Sequence, residues 1–217
     1  MFRKILDNTD PGSLANKFRR KRFLLFTEFI KDLERPVKIL DIGGTENFWK
    51  QMGIYGNNDY LITILNLDEP DKTIDRNFEF VKGDAIDLRH YNDKSFDVVF
   101  SNSVIEHIEI IEDRQKMANE IMRIGKRFFV QTPNYYFPFE PHFLLPFFQY
   151  LPKFIKIWLL LHFDIGWFKK CSSKAEALKL LNSNRLLTIK ELRTYFTNCK
   201  IIKEKYLIFT KSLIAAG

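Results

Sequence analysis

The stretch Val37-Lys-Ile-Leu-Asp-Ile-Gly-Gly-Thr-Glu-Asn47 decides how the chain folds. Its first six residues are almost continuously apolar, which is typical of a strand covered on both faces of a sheet. Two glycines follow, which predicts a tight turn. Further strands are predicted at 60–67, 78–81, 96–101 and 127–132, with helices at 47–53 and 111–124. Strands that alternate with helices predict a parallel sheet with right-handed crossovers.

Polar residues follow each predicted strand, and ligands of such sheets bind beyond the carboxyl ends of the strands. We therefore expect one site at this edge of the sheet. The residues that follow the five strands are, in order, Asp41, Gly43, Gly44, Thr45, Glu46 and Asn47; Asn66 and Asp68; Gly83, Asp84 and Ala85; Asn102, Ser103, Glu106 and His107; and Gln131, Thr132, Pro133 and Asn134.

The glycine turn excludes two common nucleotide sites. Gly43 is followed by Gly44 and then Thr-Glu-Asn, so the turn does not match the G-x-G-x-x-G pattern that seats a pyrophosphate. No G-K-[ST] sequence of a phosphate-binding loop is present. An acid beside the turn favours a ligand that is cationic, or one that carries hydroxyls and an amine. S-adenosylmethionine has these groups and no phosphate.

Two further stretches carry a family resemblance: FVKGDAIDL at 80–88 and KSFDVVFSNSVIEHI at 94–108. With the glycine turn, they resemble the class I S-adenosylmethionine-dependent methyltransferases of the methyltransferase type 11 family. The resemblance implies an α/β fold with a Rossmann-like, seven-stranded, mostly parallel sheet and helices on both faces. It also implies S-adenosyl-L-methionine as cofactor and S-adenosyl-L-homocysteine as product.

In the family's D-x-G-x-G-x-G turn, which meets the methionine part of the cofactor, Asp41 and Gly43 match. Thr45 and Asn47 stand where the second and third glycines would be. Gly44 is expected to restore the close approach of the backbone one residue early.

The remaining cofactor roles also come from the resemblance. Asn66 is in register with the family acid that holds the ribose diol, and Asp68 lies two residues on, so we divide that role between them. Asp84 resembles the acid that accepts a hydrogen bond from the adenine amine, with the amide of Ala85 facing a ring nitrogen. Asn102 resembles the residue that lines the methyl-transfer channel.

The reaction itself needs alignment of nucleophile, methyl and sulfur, together with exclusion of water. A hydroxyl acceptor would also need a base, for which His107 and His142 are the candidates. A carbon or nitrogen acceptor can react without a base. The two cysteines, Cys171 and Cys199, form no metal-binding spacing, and no metal site is predicted.

The chain is divided into an N-terminal helical extension (1–36), a cofactor-binding core (37–134), an aromatic insertion (135–185) and a closing helix with two strands (186–217). Together they form one domain. In the extension, Ser13 is predicted to cap a helix that ends near Glu34. Its apolar face is predicted to consist of Leu14, Phe18, Leu25, Phe29 and Leu33. Its basic belt is predicted at Arg19–Arg22.

Helices are predicted at 174–182 and 187–197, the second with a capping box between Thr188 and Glu191. Two closing strands are predicted at 199–206 and 207–214. The insertion after strand 5 is expected to be helical, and its aromatic content has three interpretations. It could be a lid over the acceptor pocket, a peripheral membrane contact through 143–163, or a dimer interface. Prolines and lysines interrupt it too often for a membrane span. The oligomeric state stays open.

Charge is unevenly distributed around the net value of +7. Both terminal segments are basic, and the middle of the chain is acidic. This pattern fits an anionic partner such as a phospholipid surface, a nucleic acid or an anionic glycan, and equally lysines that only solubilise aromatic segments. Few cysteines and no signal-peptide pattern lead us to expect a cytoplasmic protein, with peripheral membrane association as an option.

These observations predict methyl transfer to a small-molecule or lipid- or glycan-linked acceptor. Nucleic acid is disfavoured as acceptor, because no RNA-binding module is visible and the fourth strand ends in SNSV instead of N-P-P-[YF]. The alternative is a catalytically inactive module of the same fold that binds a membrane surface or a protein partner. A nicotinamide-dependent oxidoreductase fits poorly at the glycine turn.

Overall fold

The computed structural model of the protein describes residues 12–68 and 77–217. Its centre is a seven-stranded sheet with the strand order β3-β2-β1-β4-β5-β9-β8. The strands of this sheet are β1 (Val37–Ile42), β2 (Tyr60–Asn66), β3 (Phe78–Lys82), β4 (Phe96–Asn102), β5 (Gly125–Pro133), β8 (Lys200–Tyr206) and β9 (Phe209–Ala216). The helices are α1 (Leu14–Phe29), α2 (Glu46–Gln51), α3 (Ile111–Ile124), α4 (Lys153–His162), α5 (Lys174–Asn182) and α6 (Ile189–Tyr195).

The sheet is mostly parallel, as the sequence predicted. β1 pairs in parallel with β2 and β4, so that Asp41 lies opposite Ile64 on one side and Phe100 on the other. Only β9 runs against its neighbours, β5 and β8. The carboxyl ends of β1, β2, β3 and β4 therefore meet at one edge, where the predicted site residues lie.

Helices cover both faces of the sheet, which confirms the predicted layers. Alternate residues of β1 point to opposite faces, so that Ile39 packs with α1 and α2, whereas Leu40 packs with α3 and α6. The first face is rich in aromatic rings, among them Phe26 and Phe100 with centroids 4.8 Å apart. These contacts fix α1 against the strands that carry the site.

The predicted course of α1 was partly wrong. Ser13 caps the helix as expected, its Oγ accepting a hydrogen bond from the amide of Asn16 at 3.1 Å. However, the helix ends at Phe29 instead of Glu34. Its buried residues are Asn16, Arg22, Phe23 and Phe26, whereas Leu25, which was predicted on the apolar face, is 37% exposed. The basic belt is interrupted because Arg22 is buried against a carboxylate on β8, far away in sequence.

Other predictions concern single elements. The capping box of α6 is confirmed, since Thr188 and Glu191 exchange both hydrogen bonds. The last strand begins at Phe209, two residues later than predicted, because the chain turns at Leu207, where φ is +53°. Strand β5 extends from Gly125 to Pro133, beyond the predicted 127–132.

The aromatic insertion is helical in α4 and α5, but it begins with a small hairpin that the sequence did not predict. This hairpin pairs β6 (Phe139–Glu140) with β7 (Leu145–Pro146). The insertion has a core of its own around Phe143, Phe148 and Leu160. In the part of the chain that the structure describes, no helix has the length and apolar character required to span a bilayer.

Candidate active site

A cavity of about 490 Å³ lies at the carboxyl ends of β1, β2 and β3. It contains most of the predicted cofactor-binding residues. Its lining consists of Ile42, Gly43, Leu65, Asn66, Leu67, Asp68, Gly83, Asp84, Ala85, Val104, His107 and Ile108. Two carboxylates and no lysine or arginine are in this set. The lining therefore suits a ligand with donors or positive charge better than it suits a phosphate.

The two glycines of the turn have different tasks. Gly43 has φ of +72°, a conformation that residues with a side chain rarely adopt, and a Cβ there would lie 2.4 Å from a methyl of Val104. At Gly44 a Cβ would lie 1.7 Å from Oδ2 of Asp41. The first glycine sets the shape of the turn, and the second lets the backbone pass directly over the buried carboxyl.

Asp41 lies beneath this turn and is not among the residues that line the cavity. Its residue surface is 1% exposed, and its Oδ2 accepts a hydrogen bond from Nε1 of Trp49 at 2.7 Å. Oδ1 has no hydrogen-bond partner among the described residues. Burial raises the pKa of Asp41 to about 8, although the bond from Trp49 acts in the opposite direction. In this arrangement Asp41 supports the turn from below.

Thr45 and Asn66 also hold the turn. Thr45 caps α2, with Oγ1 accepting from the amide of Phe48 at 3.3 Å. Asn66 donates a hydrogen bond from Nδ2 to the carbonyl of Gly44 at 2.9 Å while it lines the cavity. The side-chain amide of Asn66 thus fixes the position of the turn relative to β2.

Asp68 and Asp84 line the cavity from two sides and are exposed there. Oδ1 of Asp84 accepts from the amide of Ile86 at 3.1 Å, which forms the Asx turn expected of an aspartate in this position. Ala85 lies beside it in the same lining. Carboxylate oxygens in these positions are suitable acceptors for a diol and an exocyclic amine. These residues therefore fit the cofactor that the resemblance implies.

A second cavity of about 460 Å³ adjoins the first, and the two share Gly43 and His107. The predicted residue Asn102 lines this second cavity, not the first. Its walls come from α1, β4, β5, β9 and the insertion, including the rings of Phe137, Phe139 and Trp167. Molecules bound in the two cavities would therefore be adjacent to each other at Gly43 and His107.

Both predicted histidines lie in the second cavity, with ring centroids 4.9 Å apart. His142 is hydrogen-bonded through Nδ1 to Oε1 of Glu140 at 2.8 Å, and His107 through Nδ1 to the carbonyl of Ser183 at 2.9 Å. Since a carbonyl can only accept, Nδ1 of His107 carries a proton, and Nε2 is its free nitrogen. The same tautomer is favoured in neutral His142 by the carboxylate of Glu140.

The environment of His142 favours its charged form. Burial lowers its pKa, but the hydrogen bond to Glu140 and the negative charges of Glu140 and Glu106 outweigh burial, so that the pKa of His142 is raised. Glu140 is itself 2% exposed and also accepts from the amide of Phe143 at 2.5 Å. The imidazole is thus held in position by a buried carboxylate.

Glu106 is a third titratable group beside the two histidines. It is fully buried in a short 3₁₀ turn, Ile105–His107, where Oε2 accepts from Oγ1 of Thr132 at 3.0 Å. Glu106, His107 and His142 each offer one metal-ligating atom, and these atoms lie within 4.8 Å of one another. This group could hold a metal ion, although the sequence predicted none.

The second cavity also contains a group that the sequence analysis missed. Arg19, Arg22 and Lys211 line one end of it. Arg19 and Arg22 occur in a run of four basic residues, which is typical of a solvated helix face. No local signal distinguishes the buried member of such a run, because its partner is contributed by β8.

Comparisons with known proteins agree with this fold. Residues 44–127 match the profile of the family described as methyltransferase domain. Two uncharacterized proteins of Mycobacterium tuberculosis strains are 39% identical over 55 residues, which is 25% of this chain and 19% of each relative. The matched segment thus spans about a fifth of the length of these relatives.

Two solved structures resemble the whole fold. A SAM-dependent methyltransferase from Methanosarcina mazei has a TM-score of 0.54 at 16% identity, covering 88% of this chain and 95% of that one. One from Aquifex aeolicus has a TM-score of 0.55 at 11% identity, covering 98% and 96%. Together with the strand order, these likenesses show that the chain has the fold of the class I S-adenosylmethionine-dependent methyltransferases.

Proposed function

We propose that the protein transfers a methyl group from S-adenosylmethionine, bound in the first cavity, to an acceptor bound in the second. The observation that carries this proposal is that the two cavities meet at Gly43 and His107. A methyl donor on one side of this boundary and a nucleophile on the other would be close enough for in-line displacement.

The cofactor supplies an electrophilic methyl on a sulfonium, which needs no activation by the protein. The chain binds and orients it. Gly43 and Gly44 permit close approach of the backbone, and Asp68 and Asp84 offer acceptors for hydroxyls and an amine. The aromatic walls of the second cavity would exclude water from the reacting atoms once both cavities are filled.

The arrangement of His142 and Glu140 favours a hydroxyl acceptor. Transfer of a methyl from the sulfonium to the acceptor oxygen would leave the bonding electrons on sulfur, and the neutral form of His142 would accept the hydroxyl proton at Nε2. The buried carboxylate of Glu140 would then stabilise the imidazolium. His107, at the boundary of the two cavities, would position the acceptor oxygen.

The acceptor is proposed to be a small molecule or the soluble part of a lipid- or glycan-linked molecule. A 460 Å³ cavity with aromatic walls accommodates a molecule of this class. The inactive-module alternative has less support, because the residues of the turn and both cavities retain an arrangement suited to ligands.

Calorimetric titration with S-adenosylhomocysteine tests the first cavity. We expect micromolar binding by the wild type and at least a tenfold loss in Asp84→Ala. Asp84→Asn keeps a side-chain oxygen that can accept from the amide of Ile86. This variant therefore separates the role of the Asp84 carboxylate in ligand binding from its role in the Asx turn. Asp87→Asn is the matched control, since Asp87 lies outside the cavity and pairs with the exposed Arg89.

The second cavity is tested by methyl incorporation from labelled S-adenosylmethionine into small molecules of a cell extract. His142→Gln should bind S-adenosylhomocysteine normally and lose roughly 100-fold or more of its rate. His162→Gln, whose ring stacks on Trp158 in α4, is the control. No binding at millimolar S-adenosylhomocysteine would refute the proposal and favour the non-catalytic alternative.

A further inference from the structure

One end of the second cavity is strongly basic. Arg22 is buried, and its Nη2 donates to Oε2 of Glu204 at 2.8 Å, while its Nη1 donates to Oδ1 of Asn102. Nζ of Lys211 lies 3.5 Å from the same oxygen of Glu204. Arg19 lies one turn earlier on α1 and lines the same cavity. Three cations therefore share one nearby carboxylate, leaving this end with an excess of positive charge among the described residues.

The cations disturb one another. Burial and the neighbouring charge of Arg22 lower the pKa of Lys211 to about 8, in spite of its contact with Glu204. Burial and Arg22 lower the pKa of Arg19 as well. Nε of Arg22 is buried without a hydrogen-bond partner among the described residues. A second negative group at this end would relieve the repulsion among the three cations.

The opposite end of the cavity has the reverse character. Glu106 and Glu140 are buried next to the two histidines, so that this end has negative charge beside its imidazole nitrogens. Aromatic and proline side chains connect the two ends. A ligand complementary to such a cavity carries a negative group at one end, an apolar middle and a proton-bearing group at the other.

We propose that the methyl acceptor is an anion, whose carboxylate or phosphate binds to Arg19, Arg22 and Lys211 while its hydroxyl faces His142. This rests on the proposed function and specifies the class of acceptor. The guanidinium groups supply paired N–H donors that match planar carboxylates and phosphates. Lys211 adds a single charge beside them.

The anion that these cations bind could also be the carboxylate of the cofactor's methionine part. Arg22 contacts Asn102 in the wall of the second cavity, and Gly43 of the same wall also lines the first cavity. The experiment must therefore measure cofactor affinity separately from acceptor affinity.

The test is calorimetry with three probes of similar shape in the presence of saturating S-adenosylhomocysteine: 4-hydroxybenzoate, phenyl phosphate and the neutral 4-hydroxybenzamide. We expect the wild type to bind at least one anion 10-fold or more tightly than the amide. The comparison of carboxylate with phosphate identifies which anion the site prefers. Arg19→Gln and Lys211→Gln should each reduce this preference several-fold, without changing affinity for the amide.

Arg19 and Lys211 are used because both are partly exposed, whereas loss of Arg22 would leave Glu204 buried without its main partner. Lys203→Gln, on the exposed side of β8, is the control for general charge effects. Equal affinity for anionic and neutral probes, or no binding of any probe at 10 mM, would overturn the inference.

The cofactor arm separates the remaining outcomes. If Arg19→Gln and Lys211→Gln weaken S-adenosylhomocysteine binding as much as anion binding, the cations serve the cofactor, and the inference is wrong. If the wild type binds no S-adenosylhomocysteine, the proposed function fails. Selective anion binding to the free protein that both substitutions abolish would then still establish the basic subsite.

Discussion

Replacement of Asp41 by asparagine should change the pH dependence of stability. Asp41 is buried, and its pKa is raised to about 8 in the folded protein, whereas an exposed aspartate has a pKa of 3.8. Between these values the unfolded chain has released the proton and the folded chain has retained it. Unfolding therefore releases a proton, and the free energy of unfolding of the wild type falls as the pH rises from about 4 to 8.

The magnitude follows from the size of the shift. Each pH unit between the two pKa values contributes about 1.4 kcal/mol, so the wild type should lose about 3 kcal/mol relative to Asp41→Asn between pH 5 and pH 7.5. Asparagine keeps an acceptor for Nε1 of Trp49 and does not titrate. The buried side-chain amide of the Asp41→Asn variant lacks a full set of hydrogen-bond partners, which lowers the free energy of unfolding by the same amount at every pH. This effect shifts the pH profile of stability without changing its slope.

The assay is urea unfolding followed by far-UV circular dichroism at pH 5, 6, 7 and 8. Asp97→Asn is the control. Burial acts to raise the pKa of Asp97, but hydrogen bonds from Lys126 and from the amide of Lys38 lower it. Because the pKa of Asp97 is lowered in the folded protein, the stability that its ionised form contributes is present at pH values above about 4. The difference in free energy of unfolding between Asp97→Asn and the wild type should therefore be nearly constant from pH 5 to pH 8. Parallel profiles of the wild type and Asp41→Asn would refute the reasoning.

Three further predictions concern the turn, a helix cap and the insertion. Gly44→Ala should destabilise the protein by more than 2 kcal/mol and abolish S-adenosylhomocysteine binding in calorimetry, because its Cβ overlaps a buried carboxyl. Gly53→Ala, where φ is +80° but no atom lies within 4 Å of the added Cβ, should cost only about 1 kcal/mol and leave binding unchanged. Thr188→Ala removes a capping box and should lower the free energy of unfolding by about 1 kcal/mol, whereas Thr194→Ala on the same helix should change it by less than about 0.5 kcal/mol. Trp158→Ala, at a residue that is 52% exposed, should reduce cosedimentation with anionic vesicles without loss of thermal stability; unchanged cosedimentation would contradict a membrane role.

The sheet could be predicted because its signals are local. Apolar runs, the glycine turn and Pro133 mark the strands within a few residues, and the crossover rules then restrict the topology. Asn66, Asp68, Asp84 and Ala85, which line the first cavity, could be singled out for the same reason, since they follow the strands directly. Thr188 and Glu191 formed the expected capping box because both partners lie within one turn.

The second cavity could not be predicted in this way, because its residues depend on partners distant in sequence. Arg22 is buried only because Glu204, 182 residues later, neutralises it. On the same helix, Phe26 is in the core and Leu25 is partly exposed. Glu106 is a second example, because its sequence context is typical of an exposed acid at the start of a helix. Its hydrogen-bond partner in the buried site is Thr132 of β5, which is 26 residues away in sequence.

The departure of the glycine turn from the family pattern has a structural explanation. The second and third glycines of that pattern are replaced by Thr45 and Asn47. Thr45 has φ of −139°, an extended conformation open to any residue, and Asn47 lies inside α2. Neither position requires a glycine here.

Side-chain contacts supply the support that the turn needs. Thr45 caps the helix, Asn66 holds the carbonyl of Gly44, and Trp49 binds the carboxyl of Asp41 below the backbone. The position that cannot accept a side chain is Gly44, where the chain crosses Asp41. A turn held in this way is already in position before a ligand arrives, so a cofactor that binds there would not have to order it. For this reason we expect S-adenosylhomocysteine affinity to depend more on Gly44 and Asn66 than on restoring glycine at position 45.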